Sequence, residues 1–272
     1  MSRVLPVAFT GERATLLATL WGRALDARSP TPILNDTMAS EAVERIAFDF
    51  TKTGLRRGDP AAVALRARHL DGWAREFLRV HPKTTVLHLG CGLDTRVYRL
   101  DPGPDVRWFD VDYPDVIDLR RELYPAREGC ELIGSSVTDS AWLAQVPGDR
   151  PVLVVAEGLT MYLQPGDGKA LFQRILGHFP SGEFVFDALS RRGIRMQRFN
   201  RAIRAAGATV SWGIDGCTDL EAIDGRLRCT TRLSALDLAG FEQLRMSYRV
   251  MVKAARRFPA MKNLAAFYRL EF

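Results

Sequence analysis

An α/β fold, a mostly parallel sheet covered by helices on both faces, is predicted from three observations. From about residue 84 to residue 206, short apolar runs alternate with amphipathic stretches, the pattern of successive strand and helix units. Within this region "TTVLHLGCGLDTRVYRL" (84–100) is β-prone as far as Leu89 and breaks at Gly90-Cys91-Gly92, as a buried strand does where it turns tightly into a helix. The next run, "RWFDVDYP", ends in Asp110 and Asp112, about 20 residues past that turn, where such sheets hold a ligand's ribose.

The elements follow in order. Leu16, Leu17, Leu20, Trp21, Ala24 and Leu25 make one apolar helical stripe and Val43, Ile46, Ala47 and Phe50 another, with the proline-rich "SPTPILND" between them. A third helix, "PAAVALRARHLDGWAREFLRV", starts after Asp59-Pro60, where an acid can cap and a proline suits the first turn. After the glycine turn come "VRWFDVD", "DVIDLRRELY", "CELIGS", "AWLAQV", "PVLVVAEG", "GDGKALFQRILGHF", "GEFVFDAL" and "RRGIRMQRFNRAIRAAG", strand and helix by turns. "FEQLRMSYRVM" and "NLAAFYRLEF" read as strands joined by a short helix, so an antiparallel pair is expected at the sheet edge. At 272 residues, 47% hydrophobic and 26% charged, the chain suffices for one core. A single domain spanning 1–272 is expected, with 1–80 as a helical extension or lid and 81–272 as the sheet core.

The formal charge of +6 comes almost wholly from arginine, the lysines being Lys52, Lys83, Lys169, Lys253 and Lys262. The clusters Arg56-Arg57, Arg191-Arg192 and Arg256-Arg257 read as solvated surface, since no nucleic-acid-binding signature accompanies them. Cys91, Cys130, Cys217 and Cys229 form no C-x-x-C pair, so neither a metal site nor a disulfide framework is expected, and a reducing compartment fits. The opening "MSRVLPVAFTGERATLL" lacks a signal-peptide core and no stretch nears the roughly 20 apolar residues of a membrane span. A cytoplasmic protein without membrane attachment is expected.

A dinucleotide-binding loop would need a third glycine at position 95 to admit a pyrophosphate, and that position is Thr95, while Asp94 would repel a phosphate beside it. A ligand without phosphates, carrying an amine and a cationic centre, suits this turn better. S-adenosylmethionine is such a molecule.

"LHLGCGLDTRVYRL", "FDVDYPDVIDLRREL" and "AEGLTMYL", in this order and spacing, resemble the leucine carboxyl methyltransferase family, and more narrowly its bacterial branch of tetracenomycin-type polyketide O-methyltransferases. "LDARSPTPILND" and "ALRARHLDGWAREFL" are similar to the N-terminal segment of that branch, and "VFDALS" and "WGIDGCTDLEAI" match it loosely. The resemblance implies a class I methyltransferase sheet, Rossmann-like, with a helical lid and inserted acceptor-site segments, and an O-methyltransferase acting on a small molecule, a polyketide-like carboxylate or phenol. It also implies a cofactor site of Arg66 for the methionine carboxylate, Gly90 and Gly92 in the turn, Asp112 for the ribose, Glu157 for the methionyl amine, and Ser136 and Val137 on the adenine side. The chain departs from the family where an Asp-Leu-Arg-Asp-like segment is usual: it reads "SSVTDS", with Ser136 at the first acid and Asp139 at the second.

Tyr162, after the fourth strand, is the candidate for acceptor-side chemistry, and Phe199, Trp212 and Arg192 are further acceptor-pocket candidates. His88 reads as a hydrogen-bonded core residue, and His69, His81 and His178 do not cluster with it. Two rival functions remain. A nucleic-acid methyltransferase would suit the basic charge but lacks an N/D-P-P-Y/W-type motif after the fourth strand; a non-catalytic binding protein would suit Ser136 but not the intact Gly90, Gly92, Asp112 and Glu157.

Overall fold

The structure, a computed structural model, describes residues 4–55, 59–197, 201–241, 244 and 246–272. The sheet strands are β1 (Thr85–Leu89), β2 (Arg107–Asp112), β3 (Cys130–Gly134), β4 (Val152–Ala156), β5 (Gly182–Leu189), β6 (Arg228–Ser234) and β7 (Ala265–Glu271). The main helices are α1 (Glu12–Ala27), α2 (Thr37–Arg45), α3 (Asp59–Val80), α4 (Arg96–Leu100), α5 (Pro114–Leu123), α6 (Pro165–His178), α7 (Arg191–Gln197), α8 (Arg201–Ala206), α9 (Cys217–Glu221), α10 (Met246–Arg256) and α11 (Pro259–Lys262).

The seven-stranded sheet has the order β3-β2-β1-β4-β5-β7-β6. Strands β1 to β5 are parallel, and β7 runs antiparallel between β5 and β6. Every residue of β1, β4 and β5 is buried, as expected for central strands covered on both faces. The chain leaves β1 toward β2 on one side and returns to β4 on the other, so a crevice opens beyond the carboxyl ends of β1 and β4.

One sheet face packs Leu171, Phe172, Ile175 and Leu176 of α6 against Leu87, Val154, Phe184 and Phe186. The other packs Leu65, Leu70, Ala74 and Phe77 of α3 against Val86, Val155, Val185 and Phe267. Each large apolar side chain so buried contributes about 1.5–3 kcal/mol. Leu16, Leu17, Leu20 and Ala24 of α1 join Ala39 and Val43 of α2, Phe50, and Val116, Leu119 and Leu123 of α5 in a third cluster, which seats the N-terminal helices over the crevice. None of the described helices is long and apolar enough to cross a membrane.

Three expectations are corrected. The edge partner of β7 is Arg228–Ser234, and the described part of "FEQLRMSYRVM" begins helix α10. Met246, Val250 and Met251 of that stretch stand exposed on the helix, and the edge of β7 is already taken. Cys217 and Cys229 are disulfide-bonded, their Cα atoms 5.5 Å apart, because α9 packs against β6; Cys91 and Cys130 are free. Trp212 is 5% exposed and packs edge-on against Phe172 at 5.9 Å, over Gly168 of α6, so it belongs to the core and does not close a pocket.

Candidate active site

At the carboxyl ends of β1, β4 and β5 lies a cavity of about 460 Å³, within the range of small-molecule sites. Gly90, Gly92, Asp112, Ser136, Val137, Arg66, Glu157 and Tyr162 all line it, so the structure brings together every residue expected at the cofactor site. Arg192 is exposed on α7 and is not among the lining residues; Phe199 lies outside the described residues.

The turn after β1 depends on its glycines. Gly90 has φ +60°, a left-handed conformation that side chains rarely adopt, and a Cβ there would also crowd Leu159 Cδ1 at 2.9 Å. Gly92, at φ +50°, donates its N–H to Asp112 Oδ2 at 2.7 Å, while the N–H of Tyr113 donates to Asp112 Oδ1 at 2.7 Å. Burial raises the Asp112 carboxyl above its ordinary range against these two hydrogen bonds. Asp110, two residues earlier on the same strand, is wholly buried, accepts from Trp108 Nε1 at 2.8 Å and is bound by Arg120. Of the two acids, Asp112 is the one at the cavity.

His88 is a core residue, as expected. Its Nε2 faces Arg96 Nη1 at 3.2 Å, and since a guanidinium only donates, Nε2 is the acceptor and Nδ1 carries the proton given to Asp110 Oδ1 at 2.8 Å.

Glu157, just past β4, accepts from Arg66 Nε at 2.8 Å and from Arg96 Nη2 at 2.5 Å. Burial works against its charge, but Arg66 and Arg96 hold it below the ordinary range, so it is a carboxylate. Arg96 is wholly buried and also donates to Asp71 of α3 at 2.7 Å. Asp94 is likewise buried, yet Arg99 at 2.6 Å and Arg96 at 3.4 Å keep it well below the ordinary range. Ser136 Oγ lies 2.8 Å from Thr138 Oγ1. Burial pushes the Tyr162 phenol up, so it is protonated at neutral pH.

Asp187 was missed in the sequence, and the lid expected over 1–80 was not resolved to the residues of its first helix. Asp187 of β5 lines the cavity beside Glu157, and α1 lines it with Thr15, Leu16, Thr19 and Arg23. An acid inside an otherwise apolar strand, "GEFVFDAL", is the signal that could have found the first. The second has no local signal, because which stripe of α1 faces a ligand is decided by its packing.

A model of the leucine carboxyl methyltransferase family matches residues 16–130. The chain is 48% identical over 231 residues to the tetracenomycin polyketide synthesis O-methyltransferase TcmP of Streptomyces glaucescens, covering 85% of this chain and 86% of that one. It is 39% identical over 251 residues to the S-adenosyl-L-methionine-dependent methyltransferase dpfgK of Gibberella zeae, covering 85% and 84%. In fold it is similar to the N-methyltransferase NodS of Bradyrhizobium japonicum, solved with S-adenosyl-L-homocysteine, at TM-score 0.51 and 14% identity over 86% of this chain and 96% of that one. With a parallel sheet that reverses at β1, a glycine turn closed by Asp112 and relatives of this similarity along most of its length, the chain belongs to the leucine carboxyl methyltransferase family and is an S-adenosylmethionine-dependent methyltransferase.

Proposed function

We propose that Arg66, Gly90, Gly92, Asp112, Ser136, Val137 and Glu157 hold S-adenosylmethionine, and that the rest of the cavity takes a small, largely apolar acceptor methylated on oxygen. The observation that carries this reading is the meeting of two chemistries in one cavity. Its lining combines the glycine turn, Asp112 and Glu157 with an apolar set that includes Leu55, Val63, Ile203, Leu238, Phe241 and Phe267. The lining acids Glu12, Asp94, Asp112, Glu157 and Asp187 outnumber the lining arginines Arg13, Arg23 and Arg66, which suits a cationic ligand and opposes a pyrophosphate. Residues 1–80 act as the lid of a single methyltransferase domain.

The bound cofactor supplies a methyl group on a cationic sulfur. The chain's part is to place an acceptor oxygen in line with it and to exclude water. Among the described lining residues His88 is the one histidine, and it is held by Asp110 and Arg96. Tyr162, protonated, can orient an oxygen by donating to it but does not remove a proton. Such a site suits an acceptor that is already ionised, a carboxylate or a readily ionised phenol. The relation to a polyketide-synthesis O-methyltransferase supports a polyketide-like molecule, and the apolar walls support a small molecule over a nucleic acid.

Calorimetry tests the cofactor half. Heat of binding is expected for S-adenosylmethionine and S-adenosylhomocysteine and not for NAD. NAD binding without heat from either sulfur compound would overturn the reading.

A further inference from the structure

Asp187 interrupts a strand that is buried at all eight positions from Gly182 to Leu189, where an unmatched carboxylate is costly. Its Oδ1 accepts the N–H of Gly158 at 2.6 Å. Its Oδ2 lies 3.6 Å from Arg66 Nη1, beyond hydrogen-bond reach, and Arg66 is committed through Nε to Glu157 at 2.8 Å. Glu157 has two guanidinium donors, from Arg66 and Arg96, and Asp94 has Arg99. Asp187 thus stands in the cavity wall with the backbone N–H groups of Gly158 and its own residue and a more distant cation, directly beside the acid and the arginine assigned above to the methionyl amine and carboxylate.

We propose that Asp187 is a further cofactor-binding residue, the carboxylate that answers the net positive charge of S-adenosylmethionine and makes the site prefer it to the uncharged-sulfur product, S-adenosylhomocysteine. This rests on the cofactor reading given above. The two compounds share their amine, carboxylate, ribose and adenine and differ in one methyl group and one positive charge. Arg66, Asp112 and Glu157 address the shared parts, and a carboxylate whose ion pair to Arg66 is long, at 3.6 Å, and shared with Glu157 is the group able to register the difference. The groups facing Asp187 are Arg66 from α3, Glu157 after β4 and Tyr162 from the turn beyond it. Burial and the neighbouring Glu157 raise the Asp187 carboxyl while Arg66 opposes them, so an incoming cation favours its ionised form. After methyl transfer the sulfur is neutral, that attraction is gone, and product release is favoured.

The test is the ratio of dissociation constants of the two compounds, measured by calorimetry on the wild type, D187N and D187E. D187N keeps an oxygen for the Gly158 N–H and loses the charge, and should reduce the preference for S-adenosylmethionine about tenfold while S-adenosylhomocysteine affinity stays within a few-fold of wild type. D187E, which keeps the charge, should retain most of the preference. D187S serves as a second neutral variant should D187N fail to fold. Equal weakening of both compounds in a neutral variant, or an unchanged ratio, would mean that Asp187 only supports the Gly158 turn and would overturn the proposal. A wild type that binds neither compound would instead overturn the cofactor reading, and this proposal with it.

Discussion

Arg96 has no contact with water and three carboxylates around it: Asp71 at 2.7 Å, Glu157 at 2.5 Å and Asp94 at 3.4 Å. It therefore ties α3, the glycine turn and the end of β4 into one charged core beneath the proposed cofactor site. Removing one partner from such a network leaves buried charge uncompensated, which costs about 3–5 kcal/mol. Arg96→Met should lose stability of that order at neutral pH, read from urea melts. Because Asp71, Asp94 and Glu157 all sit below the ordinary carboxylate range in the folded chain, the stability they add is present above roughly pH 4 and lost as pH falls through their lower folded values. The gap between wild type and Arg96→Met should accordingly narrow on acidification. A gap that stays constant from neutral pH to about pH 3 would show that Arg96 acts by packing alone.

The glycine turn, β2 with its terminal acids, and β4 ending in Glu157 were legible as elements because each couples a local pattern to a fixed place in a parallel sheet. Asp110 and Asp112 could not be told apart by type, although period two places them on the same side of the strand; Arg120, from α5, claims Asp110 and leaves Asp112 to the cavity. Edge strand β6, "RCTTRLS", is polar and half exposed, so its pairing with β7 carried little hydrophobic signal, whereas Val250 and Met251 carried a false one. Trp212 was misplaced for a related reason: an aromatic in a connecting segment looks like a pocket wall until its partner is known, and the partner is Phe172 on α6. Trp212→Ala should lower stability by about 3–5 kcal/mol through the cavity it leaves, with S-adenosylhomocysteine affinity unchanged. Calorimetric affinity and thermal melts on the same samples separate the two roles, and a variant with normal melting and weakened binding would return Trp212 to the ligand site.

At the scale of the whole molecule, α1 lines the cavity and is latched from outside to the start of α5 and to α8. Arg13 pairs with Asp115 at 2.7 Å and lies over the Tyr113 ring at 5.4 Å, Glu12 accepts from the Tyr113 hydroxyl at 3.2 Å, and the N–H of Gly11 donates to Ala206 of α8 at 2.8 Å. The latch stands next to Asp112, the acid proposed for the ribose, so it lies at one edge of the proposed cofactor site. Arg13 and Asp115 are 38% and 45% exposed in their side chains, which limits the pair to about 0–1 kcal/mol, small beside the apolar packing of Leu16, Leu17 and Leu20 that holds the helix down. Such a latch opens readily without the helix leaving its cluster. Arg13→Ala should therefore speed release of S-adenosylhomocysteine by up to about fivefold in stopped-flow displacement, with the melting temperature nearly unchanged. Raising the salt concentration should speed release from the wild type and have less effect on the variant, since screening weakens a contact that the variant lacks. Equal release rates in the two proteins at low salt would place the exit elsewhere on the cavity rim, away from α1.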